Sequence, residues 1–188
     1  MSKVVFKVGN DISTDVIYPG RYMATVLPTE TPQFAFADEA TFNARLKAKQ
    51  VPPGSVLVGG KNFGCGSSRE QAVSCLKGHE LVIVANDFAR IFLQNGINLG
   101  LRMVVCPGIE ASEGDDLEVT ATEVVNQTTG KRFAVQAMPK SRQAIIDAGG
   151  LVPYTRQRLQ GARTAQGALN ATLLAEGPGV ANGHPGRS

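Results

Sequence analysis

Three short, mostly apolar runs recur through the middle of this sequence: Val56-Leu57-Val58, Leu81–Val84 and Leu101–Val105. Each is too short for a core helix; the first two read as buried strands and the third as a strand. Helical segments alternate with them. One spans about Ser68 to Leu76 and ends at Gly78; another spans Phe88–Leu93, with Asp87 as its cap and Asn95-Gly96 as its stop. Strand and helix in alternation define an α/β core.

The flanks are organised differently. Val4–Val8 reads as a first strand, followed by a turn at Gly9-Asn10-Asp11 and the segment Ile12–Ile17. After Pro19-Gly20, residues Tyr22–Phe36 carry no clear period and form a long loop, a frequent home of function. Asp38–Lys49 is a surface helix with Ala40, Phe42 and Leu46 on its apolar side. Asp116–Val125 and Arg132–Ala137, joined by Asn126–Gly130, read as a β-hairpin. Pro139–Ala148 is a short helix opened by proline and closed by Gly149-Gly150. Residues 1–160 thus form one domain, and 161–188, rich in Gly, Ala, Asn and Pro, read as a mobile C-terminal tail.

Charge narrows the function classes. The body through Val152 is neutral, and the net charge of +3 comes from Arg156, Arg158, Arg163 and Arg187 against Glu176 alone. With no basic stripe and no Trp, nucleic-acid binding is not expected. No stretch reaches the ~20 apolar residues of a membrane span, and the N-terminus is no signal peptide. Cys65, Cys75 and Cys106 form no CxxC pair, and His79 and His184 lie far apart. No metal site is expected in this chain, and a reduced, cytoplasmic setting is. Cys65, next to an expected helix N-terminus, is the one thiol of interest.

The segment with most chemical content is Gly64-Cys65-Gly66-Ser67-Ser68-Arg69-Glu70-Gln71. Two glycines bracket a turn, two serines precede a helix and an arginine follows. Such a segment can aim N–H groups, hydroxyls and a guanidinium at one carboxylate or phosphate. A plain structural reading stands beside it, because Ser67-x-x-Glu70 and Ser68-x-x-Gln71 both fit the capping box.

Asn62–Glu70 resembles the signature of the aconitase superfamily's swivelling domain. Three more segments match in order. Asp11–Ile17 with Pro19-Gly20-Arg21-Tyr22 is similar to the N-terminal motif of the small subunits of isopropylmalate isomerase and homoaconitase. Ala85–Phe92 and Asn95–Gly100 are similar to the strand and helix that follow the serine loop. The resemblance spans roughly residues 4–158. It implies an α/β fold of the β/β/α swivelling type, ending in a C-terminal β-hairpin and helix. It also implies a hydro-lyase active only with a large iron–sulfur subunit, the [4Fe–4S] cluster lying on that partner. The substrate would be a small hydroxy-dicarboxylic acid.

The resemblance carries roles to individual residues. Ser67 aligns with the catalytic base, Ser68 with a substrate-binding hydroxyl and Arg69 with a carboxylate clamp. Tyr22, Met23, Ala24 and Thr25 align with the loop that reads the γ substituent. Homoaconitase-type members place an arginine where Ala24 lies, and an alanine cannot pair a buried charge. Ala24 and Met23 thus favour an alkyl substituent: 2-isopropylmalate or a smaller methylated malate such as dimethylmalate, with homocitrate the less suited alternative. Lys7 is open to two readings, a second basic contact or a solvent-facing strand residue. Arg90 is open between a pair with Asp87 and a substrate contact. A non-catalytic binding module with the same fold, and a metal-free decarboxylase or dehydratase, are the rival functions. A P-loop protein is excluded by the absence of a Lys-Ser/Thr ending.

Overall fold

A computed structural model of the chain describes residues 1–175, with side chains through Thr164. Met1–Leu151 forms one compact unit and a second begins at Val152. In the first unit, strand β1 (Ser2–Lys7) lies at the centre of a seven-stranded sheet. On one side stand β2 (Val56–Gly59), β3 (Val82–Ala85) and β4 (Arg102–Val105), all parallel. On the other stand β5 (Asp116–Val119), β6 (Glu123–Asn126) and β7 (Arg132–Ala134), all antiparallel. The α/β class is as expected.

The apolar runs have their cause in this arrangement. Every residue of β2 and β3 is buried. Leu57, Ile83 and Ala85 face a core shared with the helices, while Val56, Val58, Val82 and Val84 face a second core. A strand covered on both faces needs no polar alternation. In β1 the register with β2 shifts between Val4 and Phe6. This bulge lets Val5 and Phe6 both pack on the helix side, while Val4 serves the other face.

The helix-side layer contains α2 (Ala40–Lys47), α3 (Glu70–Gly78), α4 (Arg90–Leu99) and α5 (Lys140–Asp147). They bury Phe42, Leu46, Val73, Leu76, Phe92, Ile97 and Ile146, each such side chain stabilising the fold by about 1.5–3 kcal/mol relative to exposure. The second face is covered by the chain's own β layer, through Leu117, Val124 and the partly buried Phe133 and Val135. The Gln136 N–H then donates to the Val105 carbonyl at 2.8 Å. The segment after the last antiparallel strand therefore reaches the opposite edge of the sheet.

Three expectations are corrected. The expected hairpin is a three-stranded meander, because residues 116–125 divide at Thr120. The Thr120 hydroxyl and N–H both bond the Glu123 carbonyl, at 2.8 and 2.9 Å, and close a turn. Asn95-Gly96 does not stop α4, which begins at Arg90 and runs on to Gly100, a left-handed residue with φ +75°. Gly96 serves packing, since a Cβ there would lie 2.2 Å from Met103 Cε. Asp87 does not cap α4, whose cap position is Ala89.

The second unit continues helix α6 (Leu151–Ala175). The boundary drawn at 160/161 falls inside this helix. Of the tail read as mobile, residues 161–175 are helical, and 176–188 lie outside the described residues.

Candidate active site

The chain segments that follow β1, β2 and β3 meet at the carboxyl end of the parallel strands, where open α/β sheets bind ligands. Backbone bonds join them into one block. Gly60 N–H donates to Gly9 O (3.0 Å), Asp11 N–H to Lys61 O (2.8 Å), Gly64 N–H to Ile12 O (2.7 Å) and Thr14 N–H to Cys65 O (2.8 Å). From the third loop, Ala89 N–H donates to Phe63 O (2.9 Å), and Asn62 N–H donates to the Asp87 carboxylate (2.6 Å). Asp87 is thus a loop tie. Gly64 adopts φ +80°, and a Cβ there would fall 2.2 Å from the Phe92 ring. Only glycine lets the turn lie on α4.

The serines do not cap the helix. Helix α3 begins at Glu70, its cap position is Arg69, and no side chain bonds its first turn. Neither capping box forms. Ser67 and Ser68 stand exposed ahead of the helix. The Ser67 carbonyl is held by the Thr14 hydroxyl at 3.0 Å and by Arg69 N–H at 2.8 Å. Among the described residues, the N–H groups of Gly66, Ser67, Ser68, Glu70 and Gln71 have no acceptor, and neither serine hydroxyl has a partner. A turn with this many free donors, ending on a helix N-terminus, is an anion cradle.

Arg69 lies beside it with its side chain only 13% exposed. One guanidinium nitrogen donates to the Asp15 carboxylate and to the Tyr18 carbonyl, the latter at 3.3 Å. Its Nε is buried without a partner, a state that costs about 1–3 kcal/mol until an acceptor arrives. The other terminal nitrogen lies against Gly20, 3.5 Å from where a Cβ would stand. Asp15 sits in the first turn of α1 (Thr14–Ile17), which Ser13 caps by accepting from Val16 N–H.

The Tyr22–Thr25 segment adjoins this cluster through Gln71, whose amide donates to Met23 O at 3.4 Å. Tyr22 stacks on Phe34 with ring centres 4.1 Å apart. Met23 and Ala24 are exposed and Thr25 is half-buried. The structure therefore gathers Ser67, Ser68, Arg69 and the Tyr22–Thr25 loop at one end of the sheet. Two other candidates make no protein contact there. Arg90 is exposed and forms no pair with Asp87. Lys7 is exposed, its N–H bonds Glu113, and its charge acts on Glu110 and Asp115.

The sequence matches the family model of the aconitase C-terminal domain over residues 11–107. The isopropylmalate/citramalate isomerase small subunit of Methanocaldococcus jannaschii is 44% identical over 161 residues, which cover 82% of this chain and 93% of the relative. The chain belongs to the aconitase C-terminal domain family, among the small subunits of 3-isopropylmalate dehydratase. A further relative is the 3-isopropylmalate dehydratase small subunit of Thermodesulfovibrio yellowstonii, 37% identical with the same coverage. The crystal structure of 3-isopropylmalate dehydratase from M. jannaschii superposes with a TM-score of 0.77 at 36% identity, covering 87% of this chain and 97% of that one. The family match takes in the first loop from Asp11 onward and the other two site loops, together with α3 and α4.

Within this family member, the cysteines lie apart. Cys75 is in the helix-side core and Cys106 in the other, where burial raises both thiols, Cys106 to about 11. Cys65 is half-buried, its thiol 3.4 Å from Asp11 O, and precedes the start of α3 by more than a helical turn. Among the described residues no three His, Cys, Asp or Glu side chains gather into a metal site. None of the described helices is long and apolar enough to cross a membrane. Sequence reasoning missed the latch from Thr14 to Ser67, the Asp15 counter-ion of Arg69 and the Gln71 tie. Asp11–Ile17 had been singled out, but which residue of that motif faces the serine loop is a matter of pairing in space.

Proposed function

We propose that this chain is the small subunit of a two-subunit hydro-lyase that isomerises 2-isopropylmalate to 3-isopropylmalate in leucine biosynthesis, in the cytoplasm. The observation that carries the proposal is the set of unengaged donors around Ser67, with a largely buried arginine beside them. Ser67 acts as base on the carbon next to a carboxylate. A serine hydroxyl is a weak base, and an alkoxide at Ser67 needs donors that are not already spent. The free N–H groups of Gly66 and Ser68 meet that need. The proton moves to Ser67, the hydroxyl leaves the adjacent carbon, and water returns with the opposite regiochemistry. Ser68 and Arg69 hold substrate carboxylate, and Tyr22–Thr25 faces the γ substituent.

The large partner subunit supplies a [4Fe–4S] cluster, a Lewis acid for the departing hydroxyl. This chain offers no ligand set for such a cluster among its described residues. Citramalate is the second reading for the substrate, favoured by the name of the M. jannaschii relative and by the small, uncharged Ala24.

An anaerobic assay of the chain mixed with its large subunit tests the whole reading. Turnover is expected only in the mixture, and on 2-isopropylmalate, citramalate or dimethylmalate rather than homocitrate. Turnover of homocitrate would leave the mechanism and remove the Ala24 argument. Silence toward every substrate would return the chain to a binding module. We also assign the catalytic unit to residues 1–160, so a chain lacking residues 165–188 retains its melting temperature and full activity. A large loss of either would assign the tail a structural role.

Arg69→Lys is expected to lower kcat/KM by about 10–100-fold, since a point charge replaces a planar fork in charge-assisted bonds. Steady-state kinetics near wild type would remove Arg69 from contact with substrate.

A further inference from the structure

We propose that Tyr18 is a positioning residue that couples the carboxylate clamp to the alkyl-reading loop and thereby sets substrate selectivity; this rests on the functional reading above. Tyr18 is fully buried at the C-cap of α1. Its hydroxyl lies 3.1 Å from the Tyr22 carbonyl and 3.2 Å from the Thr25 carbonyl. A phenol has one proton, so the two oxygens share it, and both ends of the four-residue segment are drawn to one point. The segment coils over that point, with Met23 N–H on Gly20 O (3.1 Å) and Thr25 N–H on Tyr22 O (2.9 Å). With both flanking carbonyls turned toward the phenol, Met23 and Ala24 face outward.

The same residue touches the clamp. The Tyr18 carbonyl accepts from Arg69 at 3.3 Å. Its ring meets Phe34 edge-on, with centres 6.1 Å apart, and Tyr22 stacks on that same Phe34. The hydroxyl and ring of this buried side chain and the backbone carbonyl of the same residue therefore fix the separation between Arg69 and the Met23-Ala24 tip. For a substrate held by its carboxylate at Arg69, that separation decides where its alkyl group meets the loop. A small methyl substituent reaches less of the loop than an isopropyl group and depends less on its position. Burial raises the phenol pKa above its ordinary value, Cys75 and Glu30 add to the rise and a hydrogen bond with Thr25 opposes it, so the hydroxyl remains a donor at neutral pH.

The test uses Tyr18→Phe, which keeps the ring and removes only the oxygen, in the assembled two-subunit enzyme. The KM for 2-isopropylmalate is expected to rise about tenfold while that for citramalate changes less than about twofold. The ratio of kcat/KM values then falls about tenfold. An unchanged ratio, with or without loss of stability, overturns the proposal. Hydrogen exchange on the chain alone reads the pinning separately. Amides Met23–Val26 are expected to exchange faster in the variant while those of β2 and β3 do not, and unaltered exchange in the loop also overturns the proposal. Should Tyr18→Phe not fold, Gln71→Ala, which cuts the loop's other tie, is expected to shift the same ratio in the same direction; no shift overturns the proposal. If the wild-type enzyme turns over neither substrate, the functional reading fails and the selectivity role with it, while the exchange result still decides whether Tyr18 holds the loop.

Discussion

Ser67→Ala is expected to abolish turnover of the assembled enzyme, with a loss of about 10³-fold or more, and to leave subunit association unchanged. General-base catalysis by a positioned side chain is commonly worth about 10²–10⁴-fold. The fold should not register the change. The Ser67 hydroxyl has no partner, and the bonds that hold this residue, from the Thr14 hydroxyl and from Arg69 N–H, end on its backbone carbonyl. Alanine keeps that carbonyl and with it the shape of the turn. Measured kcat of the mixture, with co-elution of the two subunits as the control for assembly, separates chemistry from structure. A twofold reduction would transfer the base role elsewhere.

Gly64→Ala is expected to destabilise the fold strongly. Two costs add at this position. The backbone sits at φ +80°, which disfavours an L side chain by about 1–2 kcal/mol. The new methyl would lie 2.2–2.6 Å from three atoms of Phe92, a ring that is 2% exposed and packed against Phe63 and Phe88. Overpacking of this kind costs about 1–3 kcal/mol. The total of about 2–5 kcal/mol corresponds to a fall in Tm of about 4–20 °C for a chain of this size. Gly66→Ala makes the informative comparison. It shares the left-handed backbone, with φ +91°, but its Cβ would meet nothing closer than 3.6 Å. Only the conformational cost applies, and the melting temperature should fall by a few degrees. Equal falls for the two variants would show that the Phe92 contact is not what requires glycine at Gly64.

Much of the fold is legible in local pattern. The runs in β2 and β3 announce buried strands because both faces of this part of the sheet are covered, while the edge strand β4 buries only Met103. The Gly-Ser-Ser-Arg segment is legible as a donor-rich turn. Errors arose where one local signal serves two purposes. Asn95-Gly96 has the composition of a helix stop, yet Gly96 is small because Met103 lies against it. The serines satisfy the capping-box spacing, yet the helix starts beyond them and leaves their hydroxyls unpaired. Thr120 carries no Gly or Pro to mark a turn, yet its own bonds to Glu123 make one.

The residues of this protein by themselves determined the α/β alternation, the glycine-bracketed turn and the chemistry on offer at Ser67, Ser68 and Arg69. All of these follow from contacts within a few positions along the chain. Tertiary structure decided what surrounds that chemistry. Asp15 and Tyr18 lie more than fifty positions from Arg69, and Thr14 lies 53 from Ser67. These residues meet because parallel pairing of β1 and β2 brings the following loops side by side, where backbone bonds from Gly60 to Gly9 and from Gly64 to Ile12 join them. Hydrogen bonds and ion pairs act over a few ångströms of space whatever the separation in sequence. The partner of a charge or the anchor of a loop is therefore settled only when the strands take their register.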